Sequence, residues 1–470
     1  MQEIALSQYS RIYPADTQTP ISLYLDLVGE QPGILLESAE VDGRLGRYSL
    51  ISWDFQLILQ SRLGRMHLSI QNPLLAHLTE FQGQDFLPAL RQILQKLSIN
   101  PPEGMDPPPA LTRSLQGYFG YDLSALLEPK LAQVLPRQQE ETCLVLPGKQ
   151  ILFDHLHHRC LFISLQAEDN PQACPGPRMQ EDFSLGEVHN RPDQETFCSR
   201  VAETRELINS GEAIQVVLST RFEAAFQGQP FTLYRRLRQA NPSPYMFYLN
   251  LPELTLIGSS PELLVRCDQG LLQERPIAGT RPRGQSSDQD SQLAEELLQD
   301  PKEKAEHVML VDLGRNDLGR ISTAGSVQVE KFMQVERFSH VMHLTSYLQS
   351  RLQPDLDCVD VLRAAFPAGT VSGAPKIRAM EIISQMEDQP RGPYAGAVGW
   401  LGLDFGEVNL DTGITIRSLW LQNSKLCWQA GAGIVSDSDP EKEWQECQNK
   451  AKVIKQILKQ GEASDVFTYR

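Results

Sequence analysis

The eight cysteines of this 470-residue chain, among them Cys143, Cys160, Cys267 and Cys447, include no C-x-x-C pair. That spacing argues against a disulfide framework, a zinc knuckle or a redox dithiol, and the thiols read as reduced. No apolar run reaches the roughly 18 residues of a membrane-spanning helix. The opening MQEIALSQYSRIYPADTQ also lacks the basic-then-apolar pattern of a secretory signal, so the expectation is a soluble, cytoplasmic protein with no membrane partner. Positive charge is scarce. With 43 Lys and Arg against 59 Asp and Glu, the net charge of −16 opposes nucleic-acid binding, which normally needs a basic face. No short-period repeat is present. The cluster His155, His157 and His158 reads as a polar strand edge or turn, and no metal site is expected there.

What is present is ample apolar material, 41% of residues, in a length that suits two or three domains or one large intertwined unit. Ala167 to Asp193 is rich in proline and charge and poor in apolar periodicity, so it reads as a connector. The expected organisation is an amino-terminal region over 1–170, a connector over 171–192 and a second region over 193–462. In the first region, β-like runs at Gly33 to Leu36 and Tyr48 to Leu57 mix with a helical pattern at Leu87 to Leu97. In the second, Phe197 to Ser210 and Ser291 to Leu298 read as helices. Gln215 to Phe222, Tyr245 to Leu251 and Val398 to Leu403 read as strands. The mixture predicts an α+β fold.

Two helical segments each present a pair of carboxylates. Glu303 and Glu306 in Lys302 to Leu313 stand at i and i+3, on one side of a helix. Glu443 and Glu446 repeat the spacing after Pro440, which suits a first helical turn with Asp439 or Ser438 as cap. If the pairs face each other they repel unless a cation lies between them, and hard oxygen donors suit Mg²⁺. Taken alone, E-x-x-E is equally the pattern of a solvated helix face.

An ordered series of motifs decides between such readings. ERPIAGTRPRG at Glu274 is joined by NPSPYMF at Asn241, SSPELL at Ser259, KEKAEHVMLVDLGRNDLGR at Lys302 and HVMHL at His340. FPAGTVSGAPKIRAMEII at Phe366, PYAGAVG at Pro393, ITIR at Ile414 and GAGIVSDSDPEKEWQE at Gly431 complete it. Together, over Arg191 to Leu458, they resemble the chorismate-utilising enzymes, and within them the anthranilate synthase component I type. The resemblance implies a large two-layered α+β body of antiparallel sheets packed face to face with helices outside. The first 170 residues would then be a regulatory region and 193–462 the chorismate-binding catalytic region.

The resemblance also implies roles. Glu306 and Glu446 match direct Mg²⁺ ligands, while Glu303 and Glu443 match positions that act through water. Arg417 matches the clamp on a substrate carboxylate, where a planar guanidinium offers two parallel hydrogen bonds. Gly279, Thr280, Tyr394, Gly431, Ala432, Gly433 and Lys450 match further substrate-binding positions. Glu262 matches a general acid that protonates the departing hydroxyl, and His343 a residue that moves a proton at ring carbon C2. Thr370 holds a substrate oxygen.

Two residues bear on which reaction is run. Ala278 stands where a sister activity has a nucleophilic lysine, and a methyl group cannot attack. Gln215 stands where water-adding relatives have a lysine, and an amide cannot activate water as that base does. Both point to amination of chorismate to anthranilate, the first step of tryptophan biosynthesis. The alternatives that stay open are aminodeoxychorismate synthase component I, an enzyme that stops at aminodeoxyisochorismate, and a non-catalytic tryptophan-sensing subunit. The chain has no G-x-C-x-G glutaminase motif and no spare length for that domain after Leu458, so ammonia is expected from a separate glutamine amidotransferase subunit. Ser38 with Pro244, Tyr245 and Met246 matches a pocket for tryptophan as inhibitor, where an aromatic and methionine lining suits an indole. Two departures stand out: Cys447 replaces the usual threonine, and the stretch Leu403 to Asp411 is longer than is common.

Overall fold

The computed structural model describes residues 3–39, 46–135, 141–172, 182–337 and 341–459. Residues 173–181 of the expected connector, residues 460–462 of the expected catalytic region, and His340 of the quoted motifs lie outside these. The architecture is α+β. Twenty-two strands join in one hydrogen-bonded network, and Ile4–Ser7 pairs separately, in parallel, with Leu97–Asn100. The larger network is antiparallel throughout its described pairings, as in Met246 opposite Glu37 and Gly399 opposite Gly117.

Strands are longer than the sequence pattern predicts. Tyr48–Arg62 runs five residues beyond the expected Leu57, and Gln215–Gly228 continues beyond Phe222. The cause is that polar residues, Ser61 and Glu223 among them, stand at buried positions near the strand ends, which hides the period-two signature from the sequence. Thr142–Asp154 is almost wholly buried along its length. Tyr48–Arg62 also bends: Asp54 adopts φ +59°, and the register against Thr142–Asp154 slips between Phe55 and Leu57. Such a bulge turns the strand, so its first half pairs with Gly33–Glu37 and its second with Arg65–Ile70.

Alternation along each strand feeds different cores. In Tyr245–Asn250, Phe247 and Leu249 enter the largest apolar cluster, together with Leu57, Leu144, Leu256 and Val398 from other strands. Met246 and Tyr248 point into a second cluster, which the helices Pro20–Leu27 and Pro230–Ala240 cover through Tyr24 and Phe231. A third lies beneath the helices Gln194–Asn209, Lys376–Met386 and Pro440–Lys450. Both faces of the central strands are thereby covered. Among the described residues, no helix is long and apolar enough to cross a membrane.

The sheet admits its larger rings by leaving glycine beside them. A Cβ on Gly258 would lie 2.1 Å from Cζ of Phe247, its register partner and a ring only 1% exposed. Gly258→Ala is therefore expected to destabilise the protein by about 1–3 kcal/mol through overpacking. The urea midpoint reads this, and an unchanged midpoint would show that the ring can move aside.

Candidate functional site

Glu262 and Arg417 come from separate strand ends that the backbone ties together. The Glu262 carbonyl accepts a hydrogen bond from Ile414 N–H at 2.9 Å, and the Arg417 carbonyl accepts one from Ser259 N–H at 3.3 Å. Arg417 takes φ +49°, a turn that redirects the chain as it leaves Leu410–Ile414 and enters Ser418–Gln422. Burial raises the Glu262 carboxyl to about 7, and the Thr370 hydroxyl, Arg417 and Lys450 pull it back down. Burial also lowers the Arg417 guanidinium from its usual range, with Glu262 acting against that shift. Among the described residues, the guanidinium has no hydrogen-bond or ion-pair partner, which is the condition of a group built to meet an anion.

His343 stands on Val341–Arg351, beside a strand that is locally broken. Ala278 pairs with Leu344 but the next register pair is Arg281 with Met342, so Gly279 and Thr280 bulge out opposite His343. Gly279 needs φ +66° for this, and a Cβ there would sit 3.0 Å from a Glu303 oxygen. The bulge aims the Gly279 carbonyl at His343 Nδ1, 2.8 Å away, and the Thr280 hydroxyl lies 3.2 Å from the same nitrogen. A carbonyl only accepts, so Nδ1 carries the proton and Nε2 is the basic nitrogen. Burial first, and then the cations Arg417 and Arg275, lower the imidazole, while its bond to Gly279 works against them. It is therefore neutral at neutral pH.

Gln215, Tyr394 and the two glycines meet on one face of the paired strands Gln215–Gly228 and Lys425–Ile434. A Cβ on Gly433 would lie 2.5 Å from the Gln215 amide nitrogen, and one on Gly431 would lie 2.8 Å from the Tyr394 hydroxyl. The space that glycine frees is thus filled by these two side chains. Alternation along the strand turns the Ala432 side chain into the third apolar cluster with Val216 and Trp444, so only its backbone is left to face the wall. Lys450 reaches the wall from its helix, donating to the Gly431 carbonyl at 2.9 Å and pairing with Glu446 at 2.7 Å.

The two carboxylate helices share one construction. Asp300 caps Pro301–Gly319 by accepting from Lys302 N–H and Glu303 N–H, and Asp439 caps Pro440–Lys450 by accepting from Glu441 N–H and Lys442 N–H. Each has proline in its first turn, where missing an N–H costs nothing. Burial raises Glu306, and Glu303 and Glu446 add repulsion; burial likewise raises Glu443, with Glu446 adding to it. The four groups therefore share one field. They do not form a closed cage. Among the described residues no three metal-ligating side chains converge on one point, and Glu303 is paired with Arg281 at 3.1 Å. The donor set fits a hard divalent cation held by few direct carboxylates and completed by water, and does not fit an all-protein site. Arg281, which also pairs with Asp300 at 2.7 Å, went unread in the sequence although it lies inside the GTRPRG motif.

Ser38, Pro244, Tyr245 and Met246 line a single cavity of about 450 Å³ with Leu111 and Trp400. Tyr245 donates to Asp411 at 2.7 Å, while Met246, on the alternate face of the strand, also belongs to the second apolar cluster.

A family model described as chorismate binding enzyme matches residues 56–456. The chain is 40% identical over 475 residues to the anthranilate synthase component 1 of Aquifex aeolicus, covering 96% of this chain and 94% of that one. The crystal structure of anthranilate synthase component I from Streptococcus pneumoniae superposes with a TM-score of 0.74 at 34% identity, covering 94% of this chain and 99% of that one. The menaquinone-specific isochorismate synthase of Escherichia coli shares the fold, with a TM-score of 0.71 at 21% identity over 98% of this chain and 96% of that one.

The raised Glu262 carboxyl has a defined linkage. Its ordinary value is near 4.5 and its folded value about 7, so folding carries no ionisation penalty below 4.5 and the full penalty above 7. The stability of the unmodified protein relative to Glu262→Gln should fall between pH 4.5 and pH 7, by on the order of 1–3 kcal/mol, and then level off. Denaturation midpoints across that range measure it. Parallel curves for the two proteins would mean that Glu262 titrates normally.

Proposed function

The chain belongs to the chorismate-binding enzyme family, and from that premise we propose that it is an anthranilate synthase component 1. It converts chorismate and ammonia to anthranilate and pyruvate in the cytoplasm, as the first step of tryptophan biosynthesis. A glutamine amidotransferase subunit supplies the ammonia. The observation that carries the reading is the convergence of Glu262, Arg417 and Thr370 on one side, with Gln215 on the neighbouring wall and Ala278 beside the His343 strand. This is a site with an acid, a base and an anion clamp, and with no lysine nucleophile at position 278.

In this mechanism Arg417 binds one carboxylate of chorismate, supplying a desolvated cation that is not already paired with a protein anion. Glu306 and Glu446 would hold Mg²⁺ directly, with Glu303 and Glu443 acting through water, and the ion would supply positive charge to neutralise the ring carboxylate. Glu262, raised to about 7, keeps a substantial protonated fraction near neutral pH and gives its proton to the departing C4 hydroxyl, a poor leaving group without one. The Gln215 amide lines the approach of ammonia to C2. His343 Nε2 then removes the C2 proton as pyruvate leaves and the ring becomes aromatic, while Gly279 holds the imidazole in the required tautomer. Tyr394, Thr370, Thr280, Gly431, Gly433 and Lys450 fix the ring between the walls.

The cavity around Ser38 and Tyr245 is the tryptophan site in this reading. A strand links it to the acid: the Tyr245 ring lies over Gly413, with a hypothetical Cβ 2.6 Å from it, and Gly413 pairs with Leu263, next to Glu262. Occupancy of the cavity therefore bears on the strand that carries the catalytic carboxyl.

Two experiments test these assignments. With chorismate, Mg²⁺ and ammonium, the protein should generate anthranilate fluorescence, and Glu306→Gln should raise the Mg²⁺ concentration for half-maximal rate by about tenfold or more. Accumulation of aminodeoxychorismate would overturn the activity, and an unchanged Mg²⁺ requirement would remove Glu306 from the metal. Ser38→Arg should abolish inhibition by tryptophan and leave uninhibited turnover within about twofold, since Ser38 borders a separate cavity. Retained tryptophan affinity in that variant would place the inhibitor elsewhere.

A further inference from the structure

Arg391 is 1% exposed and lies between the helix Lys376–Met386 and the strand Ala397–Gly402. Its Nε and Nη2 donate to the two oxygens of Glu387 at 2.8 and 2.7 Å. Nη1 also donates to the Val371 carbonyl, and Nη2 to the Val217 carbonyl, each at 2.7 Å. The face of the guanidinium lies 4.7 Å from the Tyr121 ring and 5.7 Å from the Tyr394 ring. Glu387 is fixed in turn by Ser219, whose N–H and hydroxyl donate to it at 2.9 and 2.7 Å.

Each of these contacts leads to the site. Val371 follows Thr370, which faces Glu262. Val217 is the register partner of Gly433, whose free space Gln215 fills, and Ser219 is the partner of Gly431, against which Tyr394 rests. One planar cation therefore touches the backbone of both walls and the ring that lies between them. Arg417 is its opposite, a buried guanidinium left open to an incoming anion, whereas Arg391 makes four hydrogen bonds to protein acceptors.

We propose that Arg391, clamped by Glu387, is a positioning residue that sets the spacing between the Thr370 segment, the Gln215 strand and the Tyr394 ring. A buried ion pair is a poor means of gaining stability, because apolar residues of similar volume do as well or better. What apolar residues cannot supply is a rigid fork that holds two carbonyls from different strands at fixed separation. Lysine cannot supply it either, since its single nitrogen cannot bridge both carbonyls and the carboxylate in one plane.

The inference rests on the chorismate-amination reading, which the unmodified protein tests in the same assay. Arg391→Lys keeps the charge and loses the fork. Its kcat for anthranilate formation should fall at least about thirtyfold, with KM for chorismate within about threefold, because Arg417 and Lys450 still anchor the substrate. Glu387→Gln, which keeps the hydrogen bonds to Ser219 but loosens the clamp, should show the same split in smaller measure and decides the matter if Arg391→Lys does not fold. Arg391→Ala should regain part of its kcat when guanidinium ion is added at non-denaturing concentration. Unchanged kcat in folded Arg391→Lys overturns the proposal, as does a loss that falls equally on KM or follows only the unfolded fraction. No anthranilate from the unmodified protein would instead overturn the function on which it rests.

Discussion

A guanidinium buried without a protein partner, beside a carboxyl that burial raises to about 7, is the constraint around which this site is arranged. Leaving one charge of a pair unmatched in the interior costs several kcal/mol, so such an arrangement persists only where the surrounding structure holds it in place. Here the hold is backbone: Ser259 bonded to Arg417 and Ile414 bonded to Glu262 fix the two residues before their side chains are considered. In the proposed function the ligand of this site is an anion that also accepts a proton from Glu262, and a dicarboxylate with a leaving hydroxyl meets both conditions.

The acidic groups nearby follow the same economy of charge. Glu303 and Glu446 are balanced by Arg281 and Lys450, and Glu306 and Glu443 are pushed toward the protonated form. Their helices begin with the same aspartate-proline pair, and Glu303 and Glu443 stand in the first turn, where the helix macrodipole favours negative charge. In the proposed function a divalent cation between them would relieve the remaining repulsion.

Much of this was legible in the sequence, though unevenly. The helices with explicit caps, Pro440–Lys450 above all, lie where Asp439 and Pro440 predict. Strand extents were less readable because polar residues such as Ser61 and Glu223 stand at buried positions near the ends of Tyr48–Arg62 and Gln215–Gly228, and because the bulge at Asp54 leaves no pattern in apolar periodicity. At the site, spacing alone left E-x-x-E undecided, and the motif series resolved it. Spacing could not reveal that Gly431 and Gly433 make room for Tyr394 and Gln215, nor that Ala432 faces away, since both depend on which face of a strand meets a neighbour. Arg391 lay two residues before a recognised motif, and nothing in its local sequence distinguishes a buried fork from a surface charge.

The account's central claim is that Arg417 supplies the charge that holds the substrate, and equilibrium binding tests it without the complication of turnover. Chorismate titrated calorimetrically with Mg²⁺ present and ammonia omitted should bind the unmodified protein and bind Arg417→Met about 100-fold more weakly, the loss expected for a desolvated charge-assisted pair. Equal affinity in the two proteins would contradict the claim and leave the buried guanidinium without the role assigned to it.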